Sequence, residues 1–228
     1  MFAIITGGSM GLGKGILKRI SDRGVTVILL DKVEPDWDFQ GVFYQVDLAS
    51  ESSVREVVHR LNSIPQIDIL VNNAAMQSIE PIESLDFELW DKIHHINLKA
   101  PMMLIQGLLP KMKAGSRILN ISSVHAFSPR TNRYAYDASK AGLSMMTKEL
   151  ALALASRDIR VNSLSIGATD TPMNDFEHHL ENKEAAISRM PLGRIIPVEE
   201  VAKMAEFILF ETENATGSDF VIDGGRSL

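Results

Sequence analysis

Residues 2–13 read FAIITGGSMGLG, a short apolar run that passes without interruption into a glycine-rich turn. From Gly11 to about residue 23 apolar residues recur at helical spacing, so the turn joins the end of a strand to the start of a helix. In that setting main-chain amides and the positive helix end face outward, and glycines let a pyrophosphate approach the backbone. Taken alone, the glycines serve a tight turn equally well.

The same alternation repeats along the chain. Apolar or β-branched runs at 2–6, 26–30, 42–46, 67–71, 117–121, 160–163 and 220–222 predict seven strands. Helical patterns fill about 11–23, 51–62, 86–113 with a break near Asn97, 134–156 and 197–210. Near-continuous apolar strands are those covered on both faces. The prediction is an α/β fold: a single-domain, Rossmann-type, doubly wound parallel sheet of about seven strands with helices on both faces. Residues 32–41 hold Pro35 and little apolar period, so one flank of the sheet is expected to lack a full covering helix. The polar stretch 172–191 is expected to form a partly helical, mobile substrate lid over about 173–190.

At roughly 100–200 residues per domain, and with no linker or repeat, the 228 residues are read as one domain spanning 1–228. Hydrophobic residues at 45% and charged residues at 23% describe an ordinary globular chain. A net charge of −6 supplies no basic field, which argues against nucleic acid and anionic membranes as partners. The absence of cysteine removes thiolate chemistry and disulfides and fits a reducing cytoplasm. No signal-peptide pattern and no apolar run of about 18–20 residues is visible, so a cytoplasmic location is expected.

Strand two ends at Asp31, 18 residues beyond Gly13. A carboxylate at that place can accept both hydroxyls of an adenosine ribose and repels a 2′-phosphate, which favours NAD over NADP. Lys32 pulls the other way, while Met10 in the loop offers no cation. Asp47 and Leu48, after strand three, supply a carboxylate and an apolar wall for an adenine, or a helix cap. Asn72-Asn73-Ala74-Ala75 closes strand four with small residues beside the same crevice.

Tyr136 and Lys140 stand four apart on one helix face, so an ammonium lies one turn from a phenol. A cation there is expected to lower the phenol from about 10 toward working pH, making Tyr136 an acid–base candidate. Tyr134 has Ala138 at the corresponding place and gains nothing. Ser122 and Ser123 end strand five and can offer a hydroxyl to a carbonyl in the same crevice. At the helix break, Asn97 either caps a junction or exposes a backbone carbonyl that holds water leading toward Lys140. The paired histidines His94-His95 and His178-His179 project in divergent directions, and no metal site is expected.

In this order the segments resemble the short-chain dehydrogenase/reductase family over essentially the whole chain. Residues 6–13 resemble its cofactor loop, with Gly7, Ser9, Met10, Gly11 and Leu12 as contacts; 72–75, including Asn73 and Ala74, resemble its strand-four motif. Asn97, Ser123, Tyr136 and Lys140 match its catalytic four, and the interval to Tyr136 selects Ser123 over Ser122. Residues 160–173 resemble the nicotinamide segment, with Gly167, Thr169 and Thr171 available to the ring and its carboxamide. Ile166 stands where the family usually has proline, a departure expected to loosen that loop.

The resemblance implies NAD(H)-linked hydride transfer to or from a secondary alcohol or ketone. Tyr136 would move the hydroxyl proton, Ser123 fix the oxygen, Lys140 tune Tyr136 and bind the nicotinamide ribose, and Asn97 hold a proton-relay water. A small substrate is expected, cyclic or carboxylated compounds among the candidates, with His125 and Arg130 as substrate contacts. Residues 125–140 and 166–173 are similar to those of cyclic-diol dehydrogenases, and sugar, steroid and ketoacyl reductases share most of that wording. The alternatives are an NADP-linked carbonyl or 3-ketoacyl-thioester reductase and a non-catalytic dinucleotide-binding regulator. Apolar helix faces at Met102-Met103 and Met145-Met146, together with the resemblance, predict a homo-oligomer, dimer or tetramer.

Overall fold

The computed structural model describes residues 1–173 and 183–228. Seven strands, β1 (Phe2–Thr6), β2 (Thr26–Asp31), β3 (Gly41–Gln45), β4 (Ile69–Asn72), β5 (Arg117–Ser123), β6 (Arg160–Ile166) and β7 (Asp219–Ile222), form one sheet. All pairs are parallel and the order is β3-β2-β1-β4-β5-β6-β7. Winding therefore reverses between β1 and β4, which opens a crevice at the carboxyl ends of those strands.

Strand alternation sends neighbouring side chains into two separate cores. Ile5, Leu29, Val71 and Leu119 meet Ile16, Ile20, Val201 and Ile208 of α1 (Gly11–Asp22) and α7 (Val198–Phe210). Their neighbours Ile4, Ile28, Leu70 and Ile118 face Val54, Val57, Leu104 and Leu108 of α2 (Glu51–Arg60) and α4 (Ala100–Leu108). The inner strands β1, β2 and β4 read as continuous apolar runs because both their faces are buried, whereas the edge strands β3 and β7 are only partly covered.

The expected 86–113 helix is three pieces: α3 (Phe87–His94), a π-helical turn (His95–Lys99) and α4, closed by a 3-10 turn. The break thus falls at Asn97, as an inserted residue rather than an interruption. Helix α5 (Tyr134–Leu154) runs 21 residues and begins beside the end of β5. Strands β5 and β6 extend past their predicted ends to Ser123 and Ile166, because Ser122↔Ser165 and Ser123↔Ile166 continue the ladder where the apolar signal stops.

No helix covers residues 32–41. Trp37 and Phe39 pack there against the α1/α7 core, in edge-on contact with ring centroids 5.6 Å apart. The Trp37 indole N–H donates to the Ser9 carbonyl at 2.9 Å, fastening this flank to the glycine loop. Of the expected lid, α6 (Lys183–Ser188) is helical; 174–182, with His178 and His179, lie outside the described residues. Among the described residues no helix is long and apolar enough to cross a membrane.

Candidate active site

One cavity of about 620 Å3 opens at the carboxyl ends of β1, β4, β5 and β6. Gly7, Met10, Gly11 and Leu12 line one end of it. Gly7 has φ of +67°, and a Cβ there would lie 2.8 Å from the Ala74 Cα. A Cβ on Gly13 would come within 2.0 Å of the Gly7 carbonyl oxygen, so close backbone packing sets both glycines. Asn73 closes the loop from the other side, its side-chain amide donating to the carbonyls of Thr6 at 3.0 Å and Gly7 at 2.7 Å. The Thr6 hydroxyl oxygen accepts from the Asn73 and Ala74 amides, both at 3.0 Å.

Asp31 lines the same end and is braced, accepting from the Ser9 amide at 3.0 Å and the Val33 amide at 3.2 Å. Ser9 departs from expectation. It is absent from the cavity wall, buried, and its hydroxyl donates to the Val33 carbonyl at 2.5 Å, so it shapes the loop. Leu48 and Asp47 also line this end; Asp47 does not cap α2, whose N-cap is Ser50, and its carboxylate instead closes a turn onto Ala49. The Ala49 amide donates to Asp47 at 3.0 Å and holds its carboxyl below the usual range, assisted by Lys32 at 3.5 Å against the opposing effect of burial.

Ser123, Tyr136 and Lys140 line the other end together. Lys140 is buried, and its ammonium donates to the Ile121 carbonyl at 2.7 Å; burial depresses its pKa to about 8. The Lys140 nitrogen lies 5.7 Å from the Tyr136 ring centroid. The expected lowering of the Tyr136 phenol is reversed. Burial pushes it up, and the opposing pulls come from hydrogen bonding to Ser123 and from the Arg133 charge, while Asp137 adds to the rise. A buried ammonium that donates to the Ile121 carbonyl, 5.7 Å from the ring centroid, does not offset the desolvation of the phenol. Ser122 faces the helix, its hydroxyl 2.8 Å from that of Ser144.

Asn97 also lies behind the wall and does not line the cavity. Its side-chain amide donates to the Met76 carbonyl at 2.8 Å and to the Ser139 hydroxyl at 2.9 Å, and its oxygen accepts from the Met76 amide at 2.8 Å. Ser139 in turn donates to the Tyr136 carbonyl at 2.7 Å. Asn97 therefore connects the π-turn, the wall residue Met76 and the turn carrying Tyr136.

Gly167, Thr169 and Thr171 line the floor between the two ends. A Cβ on Gly167 would meet the Asp223 Cα at 2.8 Å. His125 and Arg130 line the wall near Tyr136. The His125 Nδ1 lies 3.1 Å from an Asp137 oxygen but is not aligned for a hydrogen bond, and its ring meets that of Tyr136 edge-on at 6.0 Å.

Residues 7–227 match the family model described as enoyl-(acyl carrier protein) reductase. An NAD-dependent glycerol dehydrogenase of Listeria innocua is 32% identical, covering 99% of this chain and 93% of its own. A 3-oxoacyl-[acyl-carrier-protein] reductase of Thermotoga maritima is 35% identical, covering 97% and 96%. A crystal structure of a short chain dehydrogenase family protein from Francisella tularensis superposes with a TM-score of 0.94 at 28% identity, covering 99% and 98%. The chain belongs to the short-chain dehydrogenase/reductase family.

Against the family pattern, Ile166 in place of proline has a compensation. It is buried in β6 and paired with both Ser123 and Ile222, and the Gly167 amide donates to the Ile222 carbonyl at 2.9 Å, so the ladder holds the loop that proline would otherwise stiffen. Sequence reading gave no reason to single out Arg226, which reaches the cavity from the turn after β7. Gln77, also on the wall, accepts a hydrogen bond from the Arg133 guanidinium and donates to the Met173 carbonyl at 2.8 Å. Such contacts join segments dozens of residues apart and leave no local signal.

The glycine cradle, the braced Asp31 and the small-residue floor fit a nicotinamide dinucleotide. Gly7, Gly11 and the α1 amides would meet its pyrophosphate, Asp31 its adenosine ribose, and Gly167 to Thr171 its nicotinamide side.

Proposed function

We propose that this chain is an NAD(H)-dependent oxidoreductase that interconverts a secondary alcohol and a ketone of a small substrate. The observation that carries the reading is the presence of Ser123, Tyr136 and Lys140 on one wall of a cavity whose far end holds the glycine loop and Asp31. When bound, the nicotinamide accepts or supplies the hydride. In oxidation, Ser123 holds the substrate oxygen and Tyr136 removes its proton; in reduction, Tyr136 returns it. Lys140 fixes the turn that presents Tyr136 and, from the cavity wall, would hold the nicotinamide ribose. Asn97 acts as a positioning residue through Ser139 and Met76.

Asp31 at the ribose end favours NAD over NADP. A second reading, an NADP-linked 3-ketoacyl-thioester reductase, draws on Lys32, which lines the cavity beside Asp31, and on the Thermotoga relative's name. Dissociation constants for NADH and NADPH separate the two; tighter NADPH binding excludes the first. A panel of alcohols and ketones read by nicotinamide absorbance tests the activity, and failure of every substrate despite cofactor binding favours a dinucleotide-binding regulator.

The chain would act as one domain in the cytoplasm, a location favoured by its lack of cysteine. We also propose a homo-oligomer, dimer or tetramer, built on the helices that expose Phe87, Met102, Met145 and Leu152. Sedimentation velocity reads that state directly.

A further inference from the structure

The substrate end of the cavity carries a concentration of arginine that proton and hydride transfer do not require. Arg130 and Arg133 come from the turn before α5, and Arg226 comes from the turn after β7. All three line the cavity with Ser123 and Tyr136. Arg189, just past α6, is close enough to feel the charge of each. This clustering occurs in a chain whose net charge is −6.

Every one of these guanidinium groups is held below its ordinary pKa, first by burial. Repulsion adds to it: Arg130 and Arg226 act on Arg133, and Arg130 acts on Arg226. Among the described residues the nearby carboxylates, Asp137 and Asp223, offset this only in part, Asp223 acting on Arg226 and Asp137 on Arg130 and Arg133, and both also accept from backbone amides. Asp137 accepts from the Arg130 amide at 2.9 Å, and Asp223 accepts from the Gly225 and Ser227 amides, both at 2.8 Å. Arg133 gives a hydrogen bond to the neutral Gln77 oxygen. Among the described residues, no carboxylate forms an ion pair with Arg133 or Arg226. Gathering desolvated like charges beside a reacting oxygen is unfavourable unless an anion completes the site.

We propose that this wall is an oxoanion subsite: the substrate carries a carboxylate or phosphate held by Arg133 and Arg226, with Arg130 at its border, while its carbonyl lies between Ser123 and Tyr136. The assignment rests on the oxidoreductase reading above and names the substrate class of that site. Guanidinium forks match both kinds of oxoanion in two-pronged fashion. The anion anchors one end of the substrate so that the carbonyl is presented at a fixed reach. A neutral substrate gives Arg133 and Arg226 no anion to hold and is discriminated against.

The test walks a charge away from a ketone. Acetoacetate, 4-oxopentanoate and 5-oxohexanoate are each compared with their methyl esters, and dihydroxyacetone phosphate with dihydroxyacetone, using the wild-type enzyme and saturating NADH or NADPH, whichever binds. The charged member of at least one pair is expected to exceed its neutral partner tenfold or more in kcat/KM. Preference in the acid pairs assigns a carboxylate, preference in the phosphate pair a phosphate. In Arg226→Gln that ratio should fall at least fivefold and recover in part in Arg226→Lys; Arg130→Gln serves if Arg226→Gln fails to fold. Calorimetric titration of succinate and inorganic phosphate gives a readout independent of turnover. Turnover with no charge preference in any pair overturns the subsite and leaves the oxidoreductase reading intact. Absent turnover, Arg226-dependent binding of either anion supports the subsite while the activity fails; no binding and no turnover overturns both.

Discussion

The Lys140 ammonium donates to the Ile121 carbonyl at 2.7 Å, tying the second turn of α5 to β5 inside the protein. With its pKa depressed by burial to about 8, this lysine binds fewer protons folded than unfolded between about pH 8 and its ordinary value near 10.5. Stability therefore rises with pH across that window, by about 3 kcal/mol in total. Urea unfolding at pH 7 and pH 10.5 should show this rise in the wild type and its loss in Lys140→Met; parallel profiles would contradict it.

Because burial raises the Tyr136 phenol, alcohol oxidation, which needs the phenolate, should climb as pH rises above neutrality, while ketone reduction, which needs the phenol, should lose nothing to Tyr136 ionisation until pH passes the ordinary phenol value of about 10. Ser123→Ala removes a hydrogen bond that favours the phenolate, so the rising limb should move to higher pH. Tyr136→Phe should lose about 10²–10⁴-fold in turnover while binding NADH nearly as well. A limb unmoved in Ser123→Ala speaks against the pairing.

Asp31 is held by two backbone amides in the position where it would meet a ribose. Replacing it with asparagine removes the charge behind two ribose hydrogen bonds, each worth about 1.5–3 kcal/mol when charged. NADH affinity should fall roughly ten- to a hundredfold, with NADPH affinity unchanged or improved. Equal losses for both nucleotides would point to a collapsed loop instead.

Asn97→Ala leaves the two backbone groups of Met76 without their partner in a partly buried setting. At about 1–3 kcal/mol for each unsatisfied group, thermal unfolding should shift down by roughly 5–10 °C. Since Met76 lines the cavity, KM for the ketone should rise while the dissociation constant of NADH stays close to wild type. An unchanged melting temperature removes the bracing role.

Elements with a local cause were legible in the sequence. Ile4-Ile5, Ile28-Leu29 and Leu70-Val71 announce strands buried on both faces, and the i, i+4 spacing of Tyr136 and Lys140 places both on one helix face. The continuation of β5 and β6 through serines was hidden, because main-chain pairing across Ser122 and Ser165 leaves no apolar trace. Side-chain direction was hidden too. Nothing in the string GGSMG says that Ser9 turns inward to Val33 while Met10 stands 51% exposed. The sign of the Tyr136 shift depends on how deeply the ring is buried, a tertiary quantity, and Arg226 reaches the site only because β7 lies beside β6.

The indole of Trp37 hanging from the Ser9 carbonyl gives the protein a native optical probe at the cofactor loop. The chain has two tryptophans, and the other, Trp90, stacks on His94 in helix α3. With Trp90 replaced by phenylalanine, ultraviolet-excited emission would come from Trp37, and its colour and intensity would follow the loop without any attached dye.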